Sequence, residues 1–61
     1  MKPVAKLIGA NGNIFVLVGI ACKALKRAKM YEQATELQQR VFNCGSYDEA
    51  LRTIMEYVDV E

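Results

Sequence analysis

The side chains in this chain that could do chemistry are two cysteines, Cys22 and Cys44, seven carboxylates and a group of lysines and arginines. A cysteine attacks or binds metal as its thiolate, which needs a neighbouring base or positive field. Histidine, the commonest partner for that work, is absent. Cys22 falls inside the apolar run Ile14–Cys22 with no base at helical spacing, so an inert buried thiol is expected there. The two cysteines also lack the Cys-x-x-Cys spacing of redox and zinc sites and are too few for a secreted disulfide framework. Reduced thiols in a cytoplasmic protein are the expectation, with a Cys22–Cys44 bridge as the alternative. General acid–base catalysis would fall to carboxylates, lysines or tyrosines. Glu32, Glu36, Glu49, Glu56, Asp59 and Glu61 are instead spread along polar helix faces and a terminus, the pattern of solvated charge. No catalytic residue, cofactor or metal ligand is expected, and the chain reads as a protein other than an enzyme.

Two features suit phosphate or nucleic acid. Gly9, Asn11, Gly12 and Asn13 lie in a turn between an apolar strand and an apolar helix, where free backbone donors can cradle an anion. The Gly-x-x-Gly within it is similar to the backbone clamp of KH domains. The KH loop, however, lies between helices and is usually basic; this one follows a strand and carries no charge. Glycine at Gly9 and Gly12 also relieves turn strain without any ligand. The second feature is the cluster Lys23, Lys26, Arg27 and Lys29, which could meet phosphates but also suits the negative end of a helix dipole.

Charge is divided unevenly. Residues 1–30 carry six lysines and arginines and no acid, whereas residues 31–61 carry seven acids and two arginines, for a net charge of +1 overall. A uniformly basic nucleic-acid binder differs from this. The division predicts that the two halves face each other with complementary fields, within one chain or across a dimer.

These residues must be positioned by very little chain. Sixty-one residues make one small domain, spanning 1–61, whose single core supplies only about 3–5 kcal/mol, so association commonly supplements it. Gly19-Ile20-Ala21-Cys22 bears a faint likeness to a lipoprotein cleavage site, but Asn11-Gly12-Asn13 interrupts the apolar region and cleavage would remove the most apolar third. The nine residues of Ile14–Cys22 fall well short of the roughly 20 needed to span a bilayer, so no membrane association is expected.

Lys2–Ile8, with Pro3 at its edge, predicts a short strand. Asn11-Gly12 is a turn signal that would also suit a hairpin into Ile14–Val18. The continuation ACKALKRAK is helical by propensity, and Ile14, Leu17, Val18, Ala21, Leu25 and Ala28 share one helical face, so a helix capped by Asn13 is the reading adopted. A second helix runs over Tyr31–Asn43, with Met30, Ala34, Leu37 and Val41 on one face and Gly45 placed to close it in the left-handed conformation. Ser46 and Glu49 form a capping box for a third helix, whose apolar face holds Tyr47, Ala50, Leu51, Ile54, Met55 and Val58. Arg52 and Glu56 are spaced to pair along it. Val58-Asp59-Val60-Glu61 alternates with period two and predicts a second strand beside Val4–Ile8, in either direction, with Lys2 and Lys6 facing Asp59 and Glu61.

Two blocks carry a resemblance: Lys6–Phe15 (KLIGANGNIF) with Ala24–Ala28 (ALKRA) behind it, and Ser46–Leu51 (SYDEAL) with Met55–Val60 (MEYVDV). Together they resemble a family of short, uncharacterised bacterial and mobile-element proteins, over nearly the whole chain except the middle helix. The resemblance implies a helix after Asn13 and an intact one-domain protein, and brings no activity. Relatives often have Asp in place of Asn11 and Gly after Ala28, where this chain has Lys29.

The expected fold is therefore α+β: three helices with a short N-terminal and a short C-terminal strand, an all-α three-helix fold being the alternative. One stripe of the first helix suffices to pack the other two. Phe15, Val16, Gly19 and Ile20 lie partly outside that stripe and are also apolar, more surface than so short a chain can cover. They are the expected contact of a symmetric homodimer, with Gly19 permitting close approach. The alternative is that the strands and Tyr31, Phe42 or Tyr57 cover this face. Function is expected to lie in binding, to itself or to another protein; nucleic-acid binding through Gly9–Gly12 and Lys23–Lys29 is the alternative.

Overall fold

A computed structural model describes all 61 residues. Its elements run β1 (Val4–Ala5), α1 (Ile14–Arg27), α2 (Tyr31–Phe42), α3 (Tyr47–Tyr57) and β2 (Asp59–Val60). The strands pair in parallel, Val4 opposite Asp59 and Ala5 opposite Val60. A parallel pair needs a long crossover between its strands. Three helices joined by short reversals supply it, returning the chain to its starting direction.

The local signals act largely as expected. Asn13 accepts the Phe15 N–H at 2.9 Å and starts α1, while Asn11 accepts the Asn13 N–H at 2.9 Å and shapes the turn before it. Gly9 takes φ +87° in a turn closed by the Ala10 N–H on the Leu7 carbonyl at 3.1 Å, a conformation that favours glycine. Ser46 accepts the Glu49 N–H at 3.2 Å, but the Glu49 carboxylate reaches past Ser46 to the Gly45 N–H at 3.3 Å. The box is thus shifted by one residue.

Helix ends depart from expectation. α1 stops at a left-handed residue, and that residue is Lys29, with φ 62°. Its N–H donates to Lys26 at 2.9 Å and the Met30 N–H donates to Leu25 at 2.8 Å, the paired closure usually built on glycine. Met30 packs against the core just beyond, and this burial holds the turn. Gly45, in contrast, is not left-handed: α2 already ends at Phe42, with Asn43 near φ −94°.

One cluster of 13 buried residues draws on every element. Leu25, Leu37, Ile54 and Val58 are its fully enclosed large side chains, from α1, α2, α3 and the residue before β2. Truncating such a residue to alanine typically costs about 2–5 kcal/mol. The buried face of α3 is rotated from the expected one toward Thr53, which is buried and donates to the Glu49 carbonyl at 2.9 Å. Tyr47 and Met55 consequently remain exposed. Ala24 replaces Ala28 on the buried face of α1.

The strands are shorter than expected because the Leu7 N–H folds back onto the Ala5 carbonyl at 3.1 Å. Pairing resumes once, where the Ile8 N–H meets the Glu61 carbonyl at 3.0 Å. So small a sheet is marginal alone. It is held because Ala5, Leu7 and Val58 are buried against the helices.

Candidate functional site

The exposed arc of α1 follows from helix geometry. At about 100° per residue, Leu17, Val18, Ala21, Ala24 and Leu25 occupy one side, leaving Phe15, Val16, Gly19, Lys23, Lys26 and Arg27 on the other. Along the helix this outer surface changes from apolar to basic. It is flanked by two open grooves.

Toward α2, a groove of about 400 Å³ is lined by Phe15, Gly19, Cys22, Lys23, Lys26 and Phe42, among others. The Phe15 and Phe42 rings lie 6.0 Å apart and tilted by 44°, yet the residues remain 61% and 63% exposed. A β-carbon placed on Gly19 would meet nothing within 4 Å, so the helix surface there is open to close approach. Toward β1, a second groove of about 470 Å³ is lined by Val4, Ala5, Lys6, Ile20, Lys23, Ala24, Arg27 and Glu61. The four apolar residues expected at one contact are therefore divided: Phe15 and Gly19 face the α2 side, Ile20 the β1 side, and Val16, 40% exposed, sits on the outer surface. Ile20 is half-buried against the core. Of the residues named as cover in the alternative reading, Tyr31 and Phe42 are left as exposed as Phe15. Val4 and Lys6 were not foreseen beside α1, because strand–helix proximity is set by the crossover and has no local signal.

The glycine turn is engaged internally. Asn11 and Asn13 take the Asn13 and Phe15 N–H groups, and the Val16 and Leu17 N–H groups bond the Asn13 carbonyl. The Gly12 carbonyl accepts the Tyr47 hydroxyl at 2.6 Å. Gly9 and Gly12 thus flank a turn whose asparagine side chains and Asn13 carbonyl serve the start of α1. Lys23, Lys26, Arg27 and Lys29 lie at or beyond the C-terminal half of the helix, at the other end from that turn.

Complementary pairing between the basic and acidic halves does not occur within the chain. Its sole ion pair joins Arg40 and Glu56, both in the acidic half. Glu56 was expected to pair with Arg52 on its own helix; the packing of α2 on α3 brings Arg40 closer. Arg40 donates to both Glu56 oxygens, at 2.9 and 3.1 Å, and to the Tyr57 hydroxyl at 3.2 Å, while its guanidinium lies 5.6 Å from the Tyr57 ring centroid. Tyr57 donates in turn to Glu36. The bonds from Arg40 hold Glu56 below the usual carboxylate range, and burial pushes Tyr57 up. This network clamps two helices. Lys2 likewise turns from the strand acids to the Met55 carbonyl, at 3.0 Å. Continuing the strand register sets Lys6 across from Glu61, and the two line one groove without forming an ion pair.

Both thiols are free. Cys22 donates to the Ala34 carbonyl at 3.5 Å and Cys44 to the Arg40 carbonyl at 3.2 Å. Those carbonyls are six residues apart on α2, about 9 Å along its axis. Each thiol is thus engaged with a different turn of α2 and the pair is unbridged. No group of three or more cysteine, aspartate or glutamate side chains converges as a metal site. No helix is long and apolar enough to cross a membrane. Comparison with protein-family models, with curated proteins and with solved structures found no match.

Proposed function

We propose that the chain is a small, non-enzymatic interaction module of the bacterial cytoplasm that self-associates through the outer surface of α1. The observation that carries this is the Phe15–Phe42 pair, two neighbouring, mutually tilted aromatic residues that stay more than half exposed beside the open surface at Gly19. An apolar surface of this kind marks an interface more often than a free face. A two-fold antiparallel crossing of two α1 helices near Gly19 would set the apolar end of each against the basic end of the other. Cations of the two copies would then stay apart, and lysine stems would cover phenylalanine. Sedimentation equilibrium tests the reading: the mass should double between low and high micromolar concentration. Phe15→Glu should hold the protein as a monomer with an unchanged helical spectrum. A monomer at high micromolar concentration overturns it.

A second reading, nucleic-acid binding, is supported by the cations of α1, none of which has an ion-pair partner. It expects labelled RNA or DNA to bind with steep salt dependence, and Lys26→Glu with Arg27→Glu to abolish binding. Absence of binding at low salt ends it.

A further inference from the structure

The groove between β1 and α1 combines three features that point to one kind of ligand. The first is charge. Lys6, Lys23 and Arg27 line it against a single carboxylate, Glu61, and none of the three cations is ion-paired. The second is its apolar lining, formed by Val4, Ala5, Ile20 and Ala24. The third is backbone. β1 pairs through Pro3 and Ala5, whose carbonyls accept from Asp59 and Glu61 at 2.9 Å each. Because strand groups alternate in direction, the backbone groups of Val4 face away from β2 and are unpaired.

We propose that this groove binds an extended acidic segment of a partner protein, laid beside β1 with its carboxylates on Lys23 and Arg27. The spacing fits. Lys23 and Arg27 are four residues apart on a helix, about 6 Å along its axis. Carboxylates two residues apart on an extended strand lie about 6.7 Å apart on one face. The segment therefore has acids two residues apart, with Lys6 placed to meet a further carboxylate. Main-chain bonds to a free strand edge and side-chain pockets beside it are a recurring way of holding such peptides. A nucleic acid fits less well, since no aromatic side chain lines the groove for a base to stack on. The proposal deepens the reading of the chain as a binding module; Lys23 and Arg27 also stand at the basic end of the α1 surface assigned to self-association, so oligomeric state and peptide binding are measured separately.

The test is fluorescence anisotropy with a short fluorescein-labelled peptide centred on Glu-Val-Glu, titrated with the intact protein at low salt. Saturable binding is expected. It should weaken at least tenfold with a Gln-Val-Gln peptide, and at least tenfold in Lys23→Gln/Arg27→Gln, whose exposed side chains can be neutralised without disturbing the core. Sedimentation is run on the same samples, and Phe15→Glu, a monomer on the self-association reading, should still bind the peptide saturably, so failure of self-association and failure of peptide binding are read separately. No binding up to millimolar protein overturns the proposal. So does equal binding of the Gln-Val-Gln peptide, or tighter binding of a labelled oligonucleotide of similar length.

Discussion

The Tyr47 hydroxyl donates to the Gly12 carbonyl at 2.6 Å, joining the first residue of α3 to the turn before α1 across 35 positions of sequence. Both partners are exposed, so water competes for each group. The bond still fixes where the α1 N-terminus stands relative to α3. Tyr47→Phe should lower stability by about 1 kcal/mol. In a domain of this size that shifts the melting midpoint down by about 4–8 °C in thermal unfolding. An unchanged midpoint would show that the bond contributes nothing in solution.

Lys29 holds the left-handed position that closes α1, where its β-carbon is crowded. Lys29→Gly should therefore raise stability by about 1 kcal/mol, read from denaturant midpoints at constant slope. Gly9→Ala, at φ +87°, should have the opposite sign and similar size. If Lys29→Gly destabilises, the left-handed strain is not what limits the natural chain.

The α2–α3 clamp gives stability two pH limbs. The folded pKa of Glu56 is lowered, chiefly by hydrogen bonds from Arg40. Its contribution is complete above the ordinary value of 4.5 and is lost as pH falls through the depressed one. The folded pKa of Tyr57 is raised, chiefly by burial, so its contribution is complete below 10.0 and is lost as pH rises through the raised one. Chemical unfolding across pH should show Glu56→Gln flattening the acid limb and Tyr57→Phe flattening the alkaline limb. Limbs that survive both substitutions would place the titration elsewhere.

Burial raises the Cys22 thiol above 9.0, against the smaller opposing influence of Lys26. In a Cys44→Ser background, iodoacetamide should modify Cys22 slowly at neutral pH and faster only as pH rises past that value. Reaction at the rate of a free thiol at pH 7 would contradict the burial.

What could be read in advance was local or periodic. Asn13, Ser46 and the 3.6-residue stripes of all three helices act within a few positions of themselves, so type and spacing suffice. The α+β class followed from those stripes and from the alternation at the two ends. The direction of the strand pair did not, because it depends on how many times the helices reverse the chain. The Arg40–Glu56 pair was missed for a related reason: Arg52 is the helical neighbour, and only the packing of α2 on α3 makes Arg40 nearer. The left-handed turn at Lys29 had no signal in its own residue type, because it accompanies the packing of the partly buried Met30 against the core. At the candidate site, the apolar surplus of α1 was legible by counting faces. Its partition between the α2 side and the β1 side was not, since that depends on where Phe42 and Val4 arrive.

The pairing of Val4 with Asp59 has a consequence during synthesis. β1 leaves the ribosome before the three helices, and its mate is made only after them. At about 5–20 residues per second, β1 waits on the order of 3–10 s with both edges open. An open apolar edge invites pairing with other nascent chains. Lys2, Pro3 and Lys6 surround Val4–Ala5 with charge and a missing backbone donor, which discourages such pairing until Asp59–Glu61 arrive.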